Sequence, residues 1–290
     1  MDFSYFPGCT LHSSSEEYDI STKAVSKVLG VNLIELEDWN CCGAMALTSI
    51  DKTLAYAFPA RNLAIAEKRE LELVTPCSAC FYNFKKTSYI LKEDEEARRG
   101  VNETLAKTGL KYLGKIEAHH LLDVIVNKVG FEAVAQKVVN PLMGLNVVPY
   151  YGCLLVRPPK FVNFDDPERP TTLDGLISTI GANPVPFDLK TICCGGPILL
   201  TQKPIASELS GKILIKAKDL GADCIVLPCP LCHMSLDAMQ RNIEAAFKVK
   251  LNLPILFFTQ LLGLALGLKP SELALNRNVV NTKAVMKKIA

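Results

Sequence analysis

The chain has 290 residues, 49% hydrophobic and 21% charged, and its 32 basic and 30 acidic residues leave a formal net charge of +2. This is an ordinary globular composition, long enough for two halves that each bury a core. The balanced charge argues against a nucleic-acid footprint, and Met1-Asp2-Phe3 lacks the basic and apolar run of a leader, so a cytoplasmic protein is expected.

In chain order, residues 2–6 form a short apolar run that reads as a strand. Residues 14–30 read as a helix, with a capping box at Ser14 and Glu17 and Gly30 as its stop. Residues 31–37 alternate like a strand. Residues 51–70 are helical, with a break expected before Pro59. Residues 71–75 read as a strand and 79–91 as a helix, and the charge run 92–99 reads as a solvated helix face. In the second half, strands are expected at 146–151, 184–187, 224–227 and 255–258, and helices at 173–180, 204–220 and 232–247. The longest apolar stretch, 251–268, is broken by Pro254, Thr259, Gln260 and two glycines. It reads as a strand and a short helix, not as a membrane span. The polar-spaced tail after Pro270 fits a docked helix or a frayed end.

Eleven cysteines stand at 9, 41, 42, 77, 80, 153, 193, 194, 224, 229 and 232. Without Cys224 they form two sets of five, and 34 residues separate Cys42 from Cys77 and likewise Cys194 from Cys229. Tyr5 to Cys9 matches Pro149 to Cys153, Cys41-Cys42-Gly43 matches Cys193-Cys194-Gly195, and Thr75 to Cys80 matches Leu227 to Cys232. His120-Leu121-Leu122 has an echo in Gln260-Leu261-Leu262. The chain is therefore one internal duplication. Its expected units are 1–143 and 144–290, each a cysteine-rich domain. Strands alternating with helices predict α/β architecture: two pseudo-symmetric, Rossmann-like halves, each with a mostly parallel sheet.

Each cysteine group follows a predicted strand. In an open α/β sheet ligands bind beyond the carboxyl ends of the strands, so five thiols far apart in sequence can converge there. Helix starts nearby favour an anionic, thiolate-rich cluster. In a chain without an export leader, metal ligation is a better reading of so many thiols than disulfides. Zinc takes four ligands and leaves a fifth cysteine surplus in each set, and a cubane four-iron cluster also uses four. The adjacent Cys-Cys pair suits a larger body whose separate irons each need a thiolate. Spacing thus favours iron–sulfur, with one cluster plus one zinc ion as the alternative.

The two Cys…Cys-Cys-Gly…Cys-x-x-Cys blocks resemble the duplicated signature of the heterodisulfide reductase B subunits. The resemblance runs over nearly the whole chain, through Tyr5 to Cys9, Trp39 to Gly43, Cys193 to Gly196, Cys229 to Asp237 and Phe258 to Gly267. The signature is also similar to that in components of thiol:fumarate reductases, lactate-utilisation proteins, anaerobic glycerol-3-phosphate dehydrogenases and some succinate dehydrogenases. The resemblance implies two noncubane [4Fe-4S] clusters, one on each five-cysteine set, which accounts for the fifth thiol. It implies two-electron cleavage of a disulfide, in methanogens the mixed disulfide of coenzyme M and coenzyme B. The partners it implies are a small subunit with two cubane [4Fe-4S] clusters and a flavin subunit that bifurcates electrons, with a hydrogenase or dehydrogenase beside them. A second function stays open: an electron-transfer subunit, thiol:fumarate reductase-like or quinone-linked, that acts on no disulfide itself.

Other candidates come from position. His233, directly after Cys232, and His12, three residues after Cys9, are candidate proton donors. His119 and His120 are expected after a strand, as core histidines by default. Arg157 and Lys203 are candidate anchors for anionic substrate groups. Gly43, Gly195 and Gly196 would let the backbone approach a cluster. Cys224 reads as a buried core residue. No spaced G-x-G-x-x-G pattern is present, so a dinucleotide or flavin is expected on a partner.

Overall fold

The computed structural model describes every residue except Met45 and Ala290. The first half runs β1 (Asp2–Tyr5), α1 (Glu16–Leu29), β2 (Asn32–Glu35), α2 (Lys52–Lys68), β3 (Leu73–Thr75), α3 (Ser78–Glu93), α4 (Glu95–Ala106) and β4 (Ala118–His120). It closes with α5 (Leu121–Asp123), which passes through a π-helical stretch, Val124–Gly130, into α6 (Phe131–Lys137). The second half runs β5 (Asn146–Pro149), α7 (Pro159–Val162), α8 (Thr172–Thr179), β6 (Asn183–Pro184), α9 (Lys203–Asp219), β7 (Cys224–Leu227) and α10 (Pro230–His233). A π turn, Met234–Ala238, leads into α11 (Gln240–Phe247), then β8 (Ile255–Phe257), α12 (Phe258–Ala265) and α13 (Lys283–Ile289).

The two sheets are ordered β2-β1-β3-β4 and β6-β5-β7-β8, and every strand pair in both is parallel. The central strands β3 and β7 are buried along their whole length, as an apolar run covered by helices on both faces requires. Thr75 pairs with His120 and Leu227 with Phe257. His120 and Phe257 therefore occupy the same place in the two halves, each at a strand end and each the N-cap of the next helix. The structural counterpart of His120 is Phe257 and not Gln260: the echo around Gln260 lies three residues off the sheet register.

Two helix expectations are corrected. Residues 10–15 turn tightly onto the Thr10 carbonyl, so Ser14 lies ahead of α1, and the N-cap residue Ser15 makes no side-chain cap bond. Gly30 does stop the helix, at φ 74°. Helix α2 runs through Pro59 unbroken. Its start is fixed by Asp51, which accepts from the Leu54 N–H at 2.7 Å, and Asn40 donates to the Phe58 carbonyl at 3.1 Å. The face carrying Ala57, Ala60, Leu63 and Ala64 is buried against α3 and α4, and that burial outweighs a proline cost of about 3 kcal/mol. The tail after Pro270 is docked: Gln260 donates to Asn278 at 3.0 Å, and Asp237 accepts the Val279 and Val280 N–H groups at 2.7 and 3.1 Å.

The halves interlock through the helices that follow β4 and β8. Helix α12 packs on α1 of the first half, and α6 packs on α8 of the second. Tyr18 stacks on Phe257 at 3.9 Å between ring centroids, and Ser21 Oγ meets Thr259 Oγ1 at 2.7 Å. One buried core consequently spans both sheets, and a smaller one lies under α2, α3 and α4. Among the described residues no helix is long and apolar enough to cross a membrane.

Candidate metal centre

All ten paired cysteines lie in loops or helix starts beyond the carboxyl ends of the strands. Cys9 follows β1 and Cys153 follows β5, while Cys77 and Cys229 are the N-cap residues of α3 and α10. Their thiols form one run. Cys9 and Cys41 Sγ are 3.7 Å apart, and Cys42 and Cys80 Sγ 3.3 Å. The other thiols shift their neighbours' titration in the same sequence, Cys80 with Cys77, Cys77 with Cys229 across the halves, and then Cys232, Cys194, Cys193 and Cys153 in turn. The order reads the same from either end about the Cys77–Cys229 pair. The centre is buried, and each end opens outward through one exposed and one half-buried cysteine, Cys9 with Cys41 and Cys193 with Cys153. Cys224 lies outside the run, buried in β7, where burial pushes its thiol up.

Each set contains a thiol poised as the anion. Hydrogen bonds from Cys42 and then Cys9 hold Cys41 at about 2, and bonds from Cys153 and Cys194 hold Cys193 at about 2. Their partners move the opposite way: Cys42 is pushed up to about 11 by Cys41, and Cys194 to about 12 by Cys193. Backbone donors assist, the Gly43 N–H to Cys41 Sγ and the Gly195 N–H to Cys193 Sγ at 3.4 Å each, and the Gly196 N–H to Cys194 Sγ at 3.3 Å.

The backbone presses close to these sulfurs. A Cβ on Gly8 would stand 3.2 Å from Cys80 Sγ, and one on Gly152 3.2 Å from Cys232 Sγ, and both glycines hold positive φ. Gly43 and Gly195 match at φ 79° and 77°. A Cβ on Gly196 would meet the Leu231 carbonyl and Ser235 Oγ, both at 3.1 Å. Ser235 Oγ is buried beside this cradle without a hydrogen-bond partner, a donor with nothing yet to serve. At the matching place in the first half, Asn83 donates to the Cys42 and Ala44 carbonyls at 3.1 and 2.8 Å and reaches Cys42 Sγ at 3.7 Å. Among the described residues no three His, Cys, Asp or Glu side chains close on a single small ion. Five thiols in each set, with N–H groups aimed at sulfur, fit a thiophilic multi-metal cluster.

The remaining candidates fall outside the run. His233 is a core residue: its ring stacks on Phe257 at 4.2 Å, Nε2 lies 3.2 Å from the Ile255 carbonyl, and burial lowers it to about 4. His12 stands at the rim, its Nε2 3.1 Å from Glu35 and its ring edge-on to Trp39 at 5.2 Å. His119 and His120 end β4 itself, and His119 lies between Asp123 and Glu72 at 3.0 and 3.3 Å. Arg157 is committed within its own half, to Glu168 at 2.7 Å, Thr191 at 3.0 Å and the Pro167 carbonyl at 2.7 Å, so it braces the Cys193 loop and is not free to anchor a substrate. Lys203 is exposed at the start of α9. Sequence reading missed Asn83 and Ser235; the signal available for them was their shared place three residues after Cys80 and Cys232.

The cysteine-rich domain CCG matches residues 3–85 and again 147–237. The chain is 37% identical over 280 residues, 97% of each chain, to the 8-methylmenaquinol:fumarate reductase membrane anchor subunit of Wolinella succinogenes. It is 30% identical over 289 residues, 99% of this chain and 96% of the other, to the B subunit of the ferredoxin/F(420)H(2)-dependent CoB-CoM heterodisulfide reductase of Methanosarcina acetivorans. A protein of Archaeoglobus profundus, named for its likeness to the heterodisulfide reductase B subunit, is 29% identical over 284 residues, 94% of this chain and 93% of the other. In fold the chain superposes on a crystal structure of a hypothetical protein from Helicobacter pylori with a TM-score of 0.79 at 18% identity, covering 97% of this chain. This chain spans about half of that one, 52%. The resemblance read from the cysteine blocks and the two-half α/β fold are both borne out.

Proposed function

The chain belongs to the CCG cysteine-rich domain family, and from that premise we propose that it is the iron–sulfur subunit of a disulfide reductase complex, with residues 1–143 and 144–290 as its duplicated units. The observation that carries this reading is that both five-cysteine sets gather beyond the carboxyl ends of the strands, with backbone N–H groups aimed at Cys41, Cys193 and Cys194. Cys9, Cys41, Cys42, Cys77 and Cys80 would hold one noncubane [4Fe-4S] cluster, and Cys153, Cys193, Cys194, Cys229 and Cys232 a second. When bound, such clusters supply electrons singly.

Cleaving R–S–S–R′ to RSH and R′SH consumes two electrons and two protons. The electrons come from a partner, a small cubane-cluster subunit fed by a flavin subunit. The chain's own residues provide the rest. The Gly43, Gly195 and Gly196 N–H groups hold the thiolates in place, and Gly8 and Gly152 keep side chains off Cys80 and Cys232. His12, paired with Glu35 at the rim, is the histidine open to solvent and so the better placed of the two candidates to carry a proton. Lys203 is the cation left for an anionic substrate tail. The setting is a cytoplasmic complex.

A second reading has its own support in the 37% identity to a subunit named for menaquinol:fumarate reduction. In it the chain passes electrons between a quinol-linked partner and another acceptor and touches no disulfide. Reduced protein, purified without oxygen and freed of partners, separates the two. Stoichiometric cleavage of a presented disulfide supports the reductase; a cluster that oxidises only through a partner supports the relay.

A further inference from the structure

The geometry points to His120 as a positioning residue that clamps the two Pro–Cys loops together and so fixes the electronic contact between the two cysteine sets. The inference rests on the two-cluster reading above and concerns how the sets are joined, not what they reduce.

The Cys77 and Cys229 loops meet where Ser78 Oγ reaches the Pro228 carbonyl, and each of these cysteines follows a proline, Pro76 or Pro228. A proline nitrogen has no hydrogen to donate, so at each proline only the carbonyl is left for a backbone hydrogen bond. His120 is fully buried at this junction. Its Nδ1 accepts the Leu122 N–H at 3.1 Å, which leaves the proton on Nε2, and Nε2 donates across the halves to the Pro228 carbonyl at 3.2 Å. On the other side His120 is paired with Thr75, the residue before Pro76, in the β3–β4 ladder. Burial lowers the imidazole to about 4, so it stays a neutral donor at any pH the cell offers.

The arrangement is one-sided. Ser78 Oγ also donates to the Pro228 carbonyl, at 3.2 Å, while Pro230, the counterpart of Ser78, offers no donor. Phe257, the counterpart of His120, is apolar and stacks on Tyr18 and His233. Tyr18 donates to the Pro76 carbonyl at 2.8 Å. These three donors at the junction therefore all come from the first half, and two of them grip the loop of the second. Electron exchange between centres falls steeply with distance, so the group that fixes this contact sets the coupling between the sets, although it touches no thiol-bound metal itself.

The test compares His120→Gln, which keeps an N–H donor, with His120→Phe, which copies the other half and keeps the ring but loses the donor. Each full-length holoprotein is purified without oxygen, assayed for iron and sulfide, and examined by electron paramagnetic resonance in the redox state where both clusters are paramagnetic. The expected result is full iron in both variants, the wild-type magnetic interaction in His120→Gln, and loss of that interaction in His120→Phe. Ser78→Ala, which leaves the ring in place and removes the second donor, should weaken the interaction partly and covers the case in which His120→Phe does not fold. An unchanged interaction in His120→Phe at full iron content, or equal loss in Gln and Phe, overturns the assignment and leaves the two-cluster reading standing. A wild-type chain that binds no iron–sulfur cluster overturns both.

Discussion

The two halves share one sheet order and hold their thiols alike, but brace the cysteine loops differently. Phe6 and Tyr150 occupy the same position two residues before Gly-Cys, yet Phe6 braces the Cys41-Cys42 loop through an edge contact with Trp39 at 5.4 Å, whereas Tyr150 braces the Cys193-Cys194 loop through a hydrogen bond to the Ile192 carbonyl at 2.7 Å. Helix α3 is continuous over sixteen residues, while its counterpart is broken by a π turn that turns Asp237 onto the C-terminal tail. The first half inserts α4 and the second adds the docked tail. What stays constant is the set of atoms a cluster would touch: five Sγ, the N–H groups aimed at them, and the glycines that keep Cβ atoms away. A duplication under a shared chemical constraint keeps the cradle and lets its supports drift.

The sharpest way to break this comparison is to remove one thiol. Cys229→Ser should lose the iron of its own set, about half the total, whereas Cys224→Ser, outside the run, should keep all of it; iron and sulfide analysis reads both. Equal losses would mean that the run is not the binding unit.

Next in size is a pH effect confined to the second half. Burial holds the Asp237 carboxyl at about 6 in the folded chain, above its ordinary value. The folded protein keeps this proton where the unfolded chain, titrating near about 4, has lost it. Its contribution to stability is therefore lost as pH rises from about 4 through about 6, by roughly 3 kcal/mol. Asp237→Asn should flatten that part of the urea-unfolding profile between about pH 4 and about pH 6, and an unchanged slope would mean that this carboxyl does not set it.

The glycines give a smaller effect with an internal control. Gly30 and Gly8 both have positive φ, but a Cβ on Gly30 meets nothing within 4 Å whereas one on Gly8 meets Cys80 Sγ. Gly30→Ala should cost about 1 kcal/mol, the conformational part alone, and Gly8→Ala about 1–2 kcal/mol together with iron from the first set only. Denaturation midpoints and iron content separate the two contributions. Smallest is Tyr150→Phe, which makes the second half like the first and leaves the Ile192 carbonyl unpaired. About 1 kcal/mol of stability should go, with iron retained.

Much of this was legible in the sequence because it is written twice. Ten cysteines in matching order located the two sets, and short apolar runs ahead of them located the strands that end at the site. What escaped the sequence depends on long-range packing. Local proline chemistry ends α2 at Pro59, but the buried face beyond it carries the helix through. The echo of His120 in Gln260 is a likeness of letters, while sheet register, a matter of pairing, sets His120 against Phe257. His233 follows a cysteine in sequence, yet its ring faces the Ile255 carbonyl and Phe257 in the core. Above all, no spacing rule could reveal that the Cys77 and Cys229 loops meet through Ser78 and the Pro228 carbonyl, because that contact depends on how the two halves pack.

The most direct test is elemental: iron, zinc and acid-labile sulfide measured on the chain purified without oxygen. Two four-iron clusters give about eight irons and about eight sulfides per chain, with little zinc. One or two zinc ions per chain, with no iron taken up on anaerobic reconstitution, would rule the clusters out and make the thiol run a structural zinc site.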